Sequence, residues 1–205
     1  MLFASSAGSA ANATNATHAS TANSAAPSGT AGGSLTGAYP NPTLAAGSVG
    51  TSALTGGAVT PEKLGALPAV ILSNSTDQEV TSEPLTTVTF NTVLYDPLGM
   101  QTSPSLITIQ RSGLYLVNDG VNWAANATGY RRIQVERNGE LNDDIAALIG
   151  PASPIATTAQ TGSGLVRLNA GDTLQLDVAQ TSGGNLKIRG ITPLDPLLEV
   201  VWLGP

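Results

Sequence analysis

The sequence predicts an all-β chain: a trimeric jelly-roll sandwich of about ten strands over residues 67–205, preceded by an extended, low-complexity N-terminal stalk. Three observations carry this. From Leu67 onward, short β-branched runs recur between Pro, Gly, Asn and Asp, the signature of many short strands. No helical periodicity interrupts them. Before Leu67 two repeats, of three and of five residues, fit neither a helix nor a strand.

The first repeat occupies residues 1–30, where Ala4, Ala7, Ala10, Ala13, Ala16, Ala19, Ala22 and Ala25 fall at every third position among Asn, Thr and Ser. A three-residue step turns an α-helix by about 300°, so the alanines would wind around it instead of forming a face. A small residue at every third position suits an extended structure of three residues per turn packed closely against other chains, and a disordered polar tail is the alternative.

Residues 31–66 form the connector. Leu44, Val49, Leu54, Val59 and Leu64 recur every five residues between Gly, Ala, Ser and Thr, with Pro40, Pro42 and Pro61 removing backbone donors. Such a segment builds no core of its own. Two more copies of the chain would supply partners for these anchors around a threefold axis; a flexible linker is the other reading.

In the third zone the strands are "PAVILS", "TTVTF", "SLITIQ", "GLYLVNDGVNWAA", "GYRRIQVERN", "DDIAALI", "TGSGLVRL", "DTLQLDVAQ", "NLKIRGI" and "LLEVVWL". Period two places Tyr115, Val117, Val121 and Trp123 on one face of the long strand, and Leu174, Leu176 and Val178 on one face of another. Asn138-Gly139 is a two-residue turn signal. Trp123 and Trp202 lie on strands and read as core. The last strand is apolar on both faces, as a central strand is.

Composition excludes several functions. Net charge is −6, from 14 acidic and 8 basic residues, which argues against a nucleic-acid partner because gripping phosphates needs clustered Lys and Arg. Charged residues make up 11% of the chain, where about 25% is usual. The absence of cysteine removes disulfides, thiolate metal sites and a thiol nucleophile. Without a basic, apolar N-terminal leader or a long apolar run, the sequence reads as a protein with neither a classical export signal nor membrane insertion.

Four segments in order carry a resemblance: "SGLYLVNDGVNW", "RNGE", "LNAGDTLQLDV" and "LLEVVWL". Together they resemble the tumour-necrosis-factor and complement globular-head family, over nearly all of residues 67–205. The resemblance implies a ten-stranded jelly roll that associates as a compact trimer. The stretch "GGSLTGAYPNPTLAAGSVGTSALTGGAVTPEKLG" resembles the connector of bacteriophage tail-fibre and other virion appendage proteins, with Ser34 where Asp is common. Tracts such as "ANATNATHAS" resemble their slender shafts. That likeness implies that Tyr39 and its prolines pin three extended chains together. It also implies that residues 1–66 contact other virion proteins and that the protein is displayed on the particle exterior after assembly in the host cytoplasm.

Neither an enzyme nor a cofactor is expected. The single histidine, His18, lies in the alanine repeat, and adjacent Asp143 and Asp144 point to opposite faces if they share a strand. Nor is a metal centre expected. Asp119 falls on the apolar face of the long strand, where an isolated carboxylate is costly. Three resolutions are open: an internal pair with Arg131 or Arg132, a bulge that turns it outward, or convergence of three copies on a trimer axis around a cation or water. For contact with a host cell-surface glycan or protein, the candidates are a loop presenting Tyr130, Arg131 and Arg132, and the stretch "IGPASPIATTAQTGSG". The leading expectation is a virion appendage whose trimeric head adheres to the host. A purely architectural capsid, head-fibre or collar protein, and a bacterial surface or secreted trimeric ligand, are the competing ones.

Overall fold

A computed structural model describes residues 28–140 and 143–205. The alanine repeat and His18 lie outside the described residues. Contacts divide the chain into two units, one ending at Lys63 and the other running Leu64–Pro205.

In the first unit, β1 (Leu35–Thr36) and β2 (Thr43–Leu44) pair antiparallel, Leu35 opposite Leu44. Backbone bonds from Ala31 N–H to Gly37 C=O (2.9 Å) and from Tyr39 N–H to Gly29 C=O (3.0 Å) fold the preceding stretch of chain onto the turn. Gly37 sits at φ +89°, a conformation costly to other residues, which lets the chain reverse there. A 3-10 turn (Thr51–Ala53) and a single helical turn (Pro61–Leu64) follow. Of the described side chains here only Ala31 is buried, and Leu44, Val49, Leu54, Val59 and Leu64 are 46–62% exposed. Tyr39 is half-buried.

The second unit is an antiparallel jelly roll of two sheets, with thirteen strands among its described residues. Eight are longer: β3 (Ala69–Ser73), β6 (Thr92–Tyr95), β9 (Gly113–Trp123), β10 (Asn126–Arg137), β11 (Asp144–Ser153), β12 (Thr158–Leu168), β13 (Thr173–Gln180) and β15 (Leu197–Gly204). Five are short pieces of two or three residues: β4 (Gln78–Val80), β5 (Thr86–Thr87), β7 (Gln101–Ser103), β8 (Leu106–Thr108) and β14 (Leu186–Ile188). The three strands beyond the ten read from the sequence are β4, β6 and β7, short segments of three or four residues in the polar and proline-containing stretches on either side of "TTVTF".

One sheet runs β4-β14-β9-β15-β3-β6, with β12 also paired to β9 along its whole length; the other runs β11-β10-β13-β8-β7, with β5 on β13. Tyr115, Val117, Val121 and Trp123 of β9 meet Ile133 and Val135 of β10 and Leu174, Leu176 and Val178 of β13 in the core, all 0–3% exposed. The last strand is central: β15 lies between β9 and β3.

Two turn signals act as their residues require. Asn138 and Gly139 both take positive φ, +56° and +70°, and Glu140 N–H closes the turn on Arg137 C=O at 3.1 Å. At the start of β9, a Cβ on Gly113 would collide with Gly204 C=O and with the Trp202 indole nitrogen. The missing side chain lets the C-terminal strand close on β9, where Trp202 Nε1 donates to Ser112 C=O at 3.3 Å. Trp202, expected in the core, is half-buried at this margin with the Arg111 guanidinium 5.2 Å from its ring centre.

Candidate functional site

Period two sends alternate residues of the seven-stranded sheet away from the core, and on that second face an apolar row at Leu116 lies beside a row with polar residues at Asn118. Leu116 of β9 lies between Leu165 of β12, 65% exposed, and Val201 of β15. The next row reads Ser163, Asn118, Glu199, Ile71 and Tyr95 across five strands, with Tyr95 49% exposed. Its polar members are bonded to one another: Ser163 Oγ donates to Asn118 Oδ1 at 2.8 Å, and Asn118 Nδ2 donates to Glu199 Oε2 at 3.1 Å. A water-facing sheet ordinarily presents polar residues at alternate positions, and the Leu116 row is an apolar strip on such a face. The apolar character of both faces of the last strand announces Val201; Leu165 is legible only once its register against Leu116 is known.

On the core side, Asp119 is 3% exposed between Gly162 of β12 and Leu198 of β15. Its Oδ1 accepts the Gly162 N–H at 3.1 Å, and its buried Oδ2 has no partner among the described residues. Burial pushes its pKa up to about 6 against the opposing effect of the Gly162 bond. Neither arginine reaches it, which corrects the expected internal pair. Arg131 belongs to the other sheet, and its guanidinium is spent on backbone carbonyls: Nη1 donates to Tyr130 (2.9 Å) and Thr128 (3.1 Å), Nη2 to Asn126 (3.2 Å). Arg132 pairs with Asp144 at 3.3 Å. Room for the carboxylate comes from Gly162, where a Cβ would fall 2.6 Å from Asp119 Oδ2. The sequence gives no sign that Gly162 in "TGSGLV" serves this.

The expected contact loop is also rearranged. Tyr130, Arg131 and Arg132 lie on β10, not in a loop, and Arg131 is 1% exposed beneath the Trp123 ring, 5.8 Å from its centre. That burial removes Arg131 from any surface; desolvation pushes its pKa down. Tyr130 Oη donates to Glu83 Oε1 at 2.9 Å. Most of "IGPASPIATTAQTGSG" is strand, because β11 and β12 pass through it, and only the link between them presents Ile155, at 92% exposure. Gln160 within it joins the sheets: its Oε1 accepts Trp123 Nε1 at 2.8 Å while its Nε2 donates to Arg131 C=O at 3.1 Å.

The face of β10 and β13 turned from the core carries a buried polar lattice that sequence reading passed over. Gln134 lies opposite Asp177 and Glu136 opposite Gln175. Gln134 donates to Glu136, and Gln175 Nε2 donates to Asp177 Oδ2 at 2.8 Å. Burial, then the neighbouring Asp177, hold the Glu136 carboxyl above its usual range. Among the described residues no three His, Cys, Asp or Glu side chains converge as a metal site, and no helix is long and apolar enough to cross a membrane. Asp143 and Asp144 are taken by Arg137 and Arg132.

Two antiparallel sheets, with a long β9 between β12 and a C-terminal β15, make the second unit a jelly roll of the fold seen in murine APRIL. Among solved structures the chain is similar to murine APRIL. At pH 5.0 that structure superimposes with a TM-score of 0.53 at 16% identity, over 67% of this chain and 100% of the other. At pH 8.0 the values are 0.53 and 17%, over 66% and 98%. The globular domain of zebrafish complement 1qA is more distant, at a TM-score of 0.47 and 13% identity over 66% and 97%. No protein-family model and no curated protein matches the sequence.

Proposed function

We propose that the chain is a non-catalytic bacteriophage virion appendage. It forms a homotrimer through the second face of the seven-stranded sheet, with residues 1–66 contacting other virion proteins and the head projecting from the particle toward the host surface. The observation that carries the trimer is the Leu116 row, Leu165-Leu116-Val201, an apolar strip on a sheet face with no described covering element. The virion assignment is supported by the connector, whose "GSLTGAYPNP" residues supply β1 and the turn that leads into β2 and whose five apolar anchors stand exposed in the single chain. Three weakly adhesive heads on one stalk gain avidity without a tight individual site.

Light scattering of the full chain and of residues 64–205 over a dilution series tests the assembly, with a mass three times the protomer's expected for both. The head is suited to separate study because its core is drawn wholly from its own residues, Val70 to Val200. Leu116→Asp is expected to return the head to a monomer with its core intact. A wild-type head that stays monomeric at all concentrations refutes the proposal. Binding of residues 1–66 to purified particles, with no binding of host cells by the head, would replace adhesion by a purely architectural role.

A further inference from the structure

The free edges of the two sheets, β6 and β7, face each other across a shallow groove of about 270 Å³. Its walls present Asn91, Val93, Gln101, Thr102, Ser103 and Pro104 over a floor that includes Phe90. No lining residue is charged. Val93, 52% exposed, and Pro104 supply apolar surface, while the others supply amide and hydroxyl groups.

These walls are held by bonds that leave part of that chemistry free. Phe90 N–H donates to Pro104 C=O at 2.7 Å, tying one side of the groove to the other. Asn91 Oδ1 accepts from Ser75 N–H (3.1 Å) and Thr92 Oγ1 (3.0 Å), which fixes its amide. Asp96 accepts the N–H groups of Met100 and Gln101 at 2.7 and 2.9 Å, pinning the turn into β7 and neutralising its own local demand for donors. A register shift between Gln101 and Ser103 re-aims that edge. Thr102 Oγ1 is engaged with Thr108 Oγ1 at 2.9 Å, whereas the Gln101 amide bonds to no described residue. As edge strands, β6 and β7 also carry backbone groups that face no further strand.

A ligand matched to this groove is uncharged, rich in hydroxyls, apolar on one face, and smaller than the ligands of the roughly 300–1,000 Å³ pockets that enclose drug-sized molecules. Those are the properties of one sugar ring. We infer that the groove binds a single residue of a neutral glycan, with the Gln101 amide and Ser103 hydroxyl as its principal hydrogen-bonding groups and Val93 and Pro104 against its C–H face. This names the ligand class of the adhesive head proposed above and rests on that reading.

Saturation-transfer NMR on the full chain tests it, with the methyl glycosides of glucose, galactose and N-acetylglucosamine as probes and glucuronic acid as the charged comparison. Transfer to at least one neutral glycoside is expected, falling at least fivefold in the Gln101→Ala/Ser103→Ala double variant, whose melting temperature should stay near that of the parent because neither side chain is in the core. Glucuronic acid should receive less, since no cation lines the groove. Absence of transfer to all three neutral probes, equal transfer to glucuronic acid, or undiminished transfer in the double variant would each overturn the inference. Light scattering on the same samples separates the two readings. A trimer without transfer refutes the groove alone, and a monomer with transfer refutes the trimer alone.

Discussion

Replacing Asp119 by asparagine should change how the head's stability depends on pH. The carboxyl titrates at 3.8 in the unfolded chain and at about 6 when folded, so folding favours its protonated form. A raised folded pKa contributes stability that is fully present below 3.8 and is lost as pH rises through about 6. At 1.36 kcal/mol per unit, the difference of about two units amounts to about 3 kcal/mol, of which about 2 kcal/mol falls between pH 4.5 and pH 8. The amide of Asp119→Asn would keep an oxygen for the Gly162 N–H but cannot ionise. Urea unfolding of both proteins at fixed protomer concentration should therefore show the variant gaining about 2 kcal/mol on the wild type between those two pH values. The comparison across pH removes the fixed cost of placing an amide nitrogen where Oδ2 has no partner. It also cancels other titrating groups, Glu136 among them, which both proteins share. A stability difference that stays constant from pH 4.5 to pH 8 would show that Asp119 is not held in an apolar setting, and the account of its burial would fail.

Other perturbations test separate parts of the same architecture. Gly162→Ala pushes a methyl group into Asp119 Oδ2, 2.6 Å away, and should cost about 1–3 kcal/mol in urea unfolding, much of it recovered when Asp119→Ala is added. Gly113→Ala drives a Cβ against Gly204 C=O, so the C-terminal strand must shift; altered Trp202 fluorescence together with a lowered melting temperature is expected. Arg131→Ala takes the guanidinium from the carbonyls of Asn126, Thr128 and Tyr130, the last of which keeps only the Thr181 N–H at 3.3 Å, and opens space under Trp123, a loss of about 2–4 kcal/mol by calorimetry.

The parts of this molecule that were legible in the sequence are those governed by local periodicity. Alternation along "GLYLVNDGVNW" placed Tyr115, Val117, Val121 and Trp123 together, and Asn138-Gly139 marked a turn whose two positive φ values are what that pair favours. Partners across the sheets were not legible. Arg131 follows Tyr130 in a polar, glycine-preceded run that offers itself both as the start of a strand and as an exposed contact, yet three carbonyls of the first residues of β10 draw its guanidinium inward. Nothing local distinguishes that outcome from a salt bridge to Asp119. Gln134, Glu136, Gln175 and Asp177 escape notice for a related reason: each is an ordinary outward-facing polar residue on its own strand, and only the β10–β13 register makes them a lattice in which Gln134, Glu136 and Asp177 are buried and Gln175 half-buried. The glycine at 162 looked like flexibility and proves to be space for a side chain 43 positions away.

The polar row beside Leu116 bears on why this face can serve for association. A lone Glu199 on an apolar sheet would oppose burial, because an ion removed from water without a partner costs several kcal/mol. Here Glu199 Oε2 already accepts from Asn118, and Asn118 Oδ1 already accepts from Ser163, so part of the desolvation cost is met inside each protomer before any contact forms. The flanking Leu165, Leu116 and Val201 then supply the non-directional attraction, while the bonded row, which tolerates only donor groups opposite Glu199, limits the registers in which copies can meet. A sheet face that was apolar throughout would associate in many registers; one with this polar row beside its apolar strip favours a single arrangement. Glu199→Leu should thus leave the mass distribution broader, with species beyond the trimer in light scattering, rather than simply tightening it. A sharper trimer in that variant would show that the row is only a cost and sets no register.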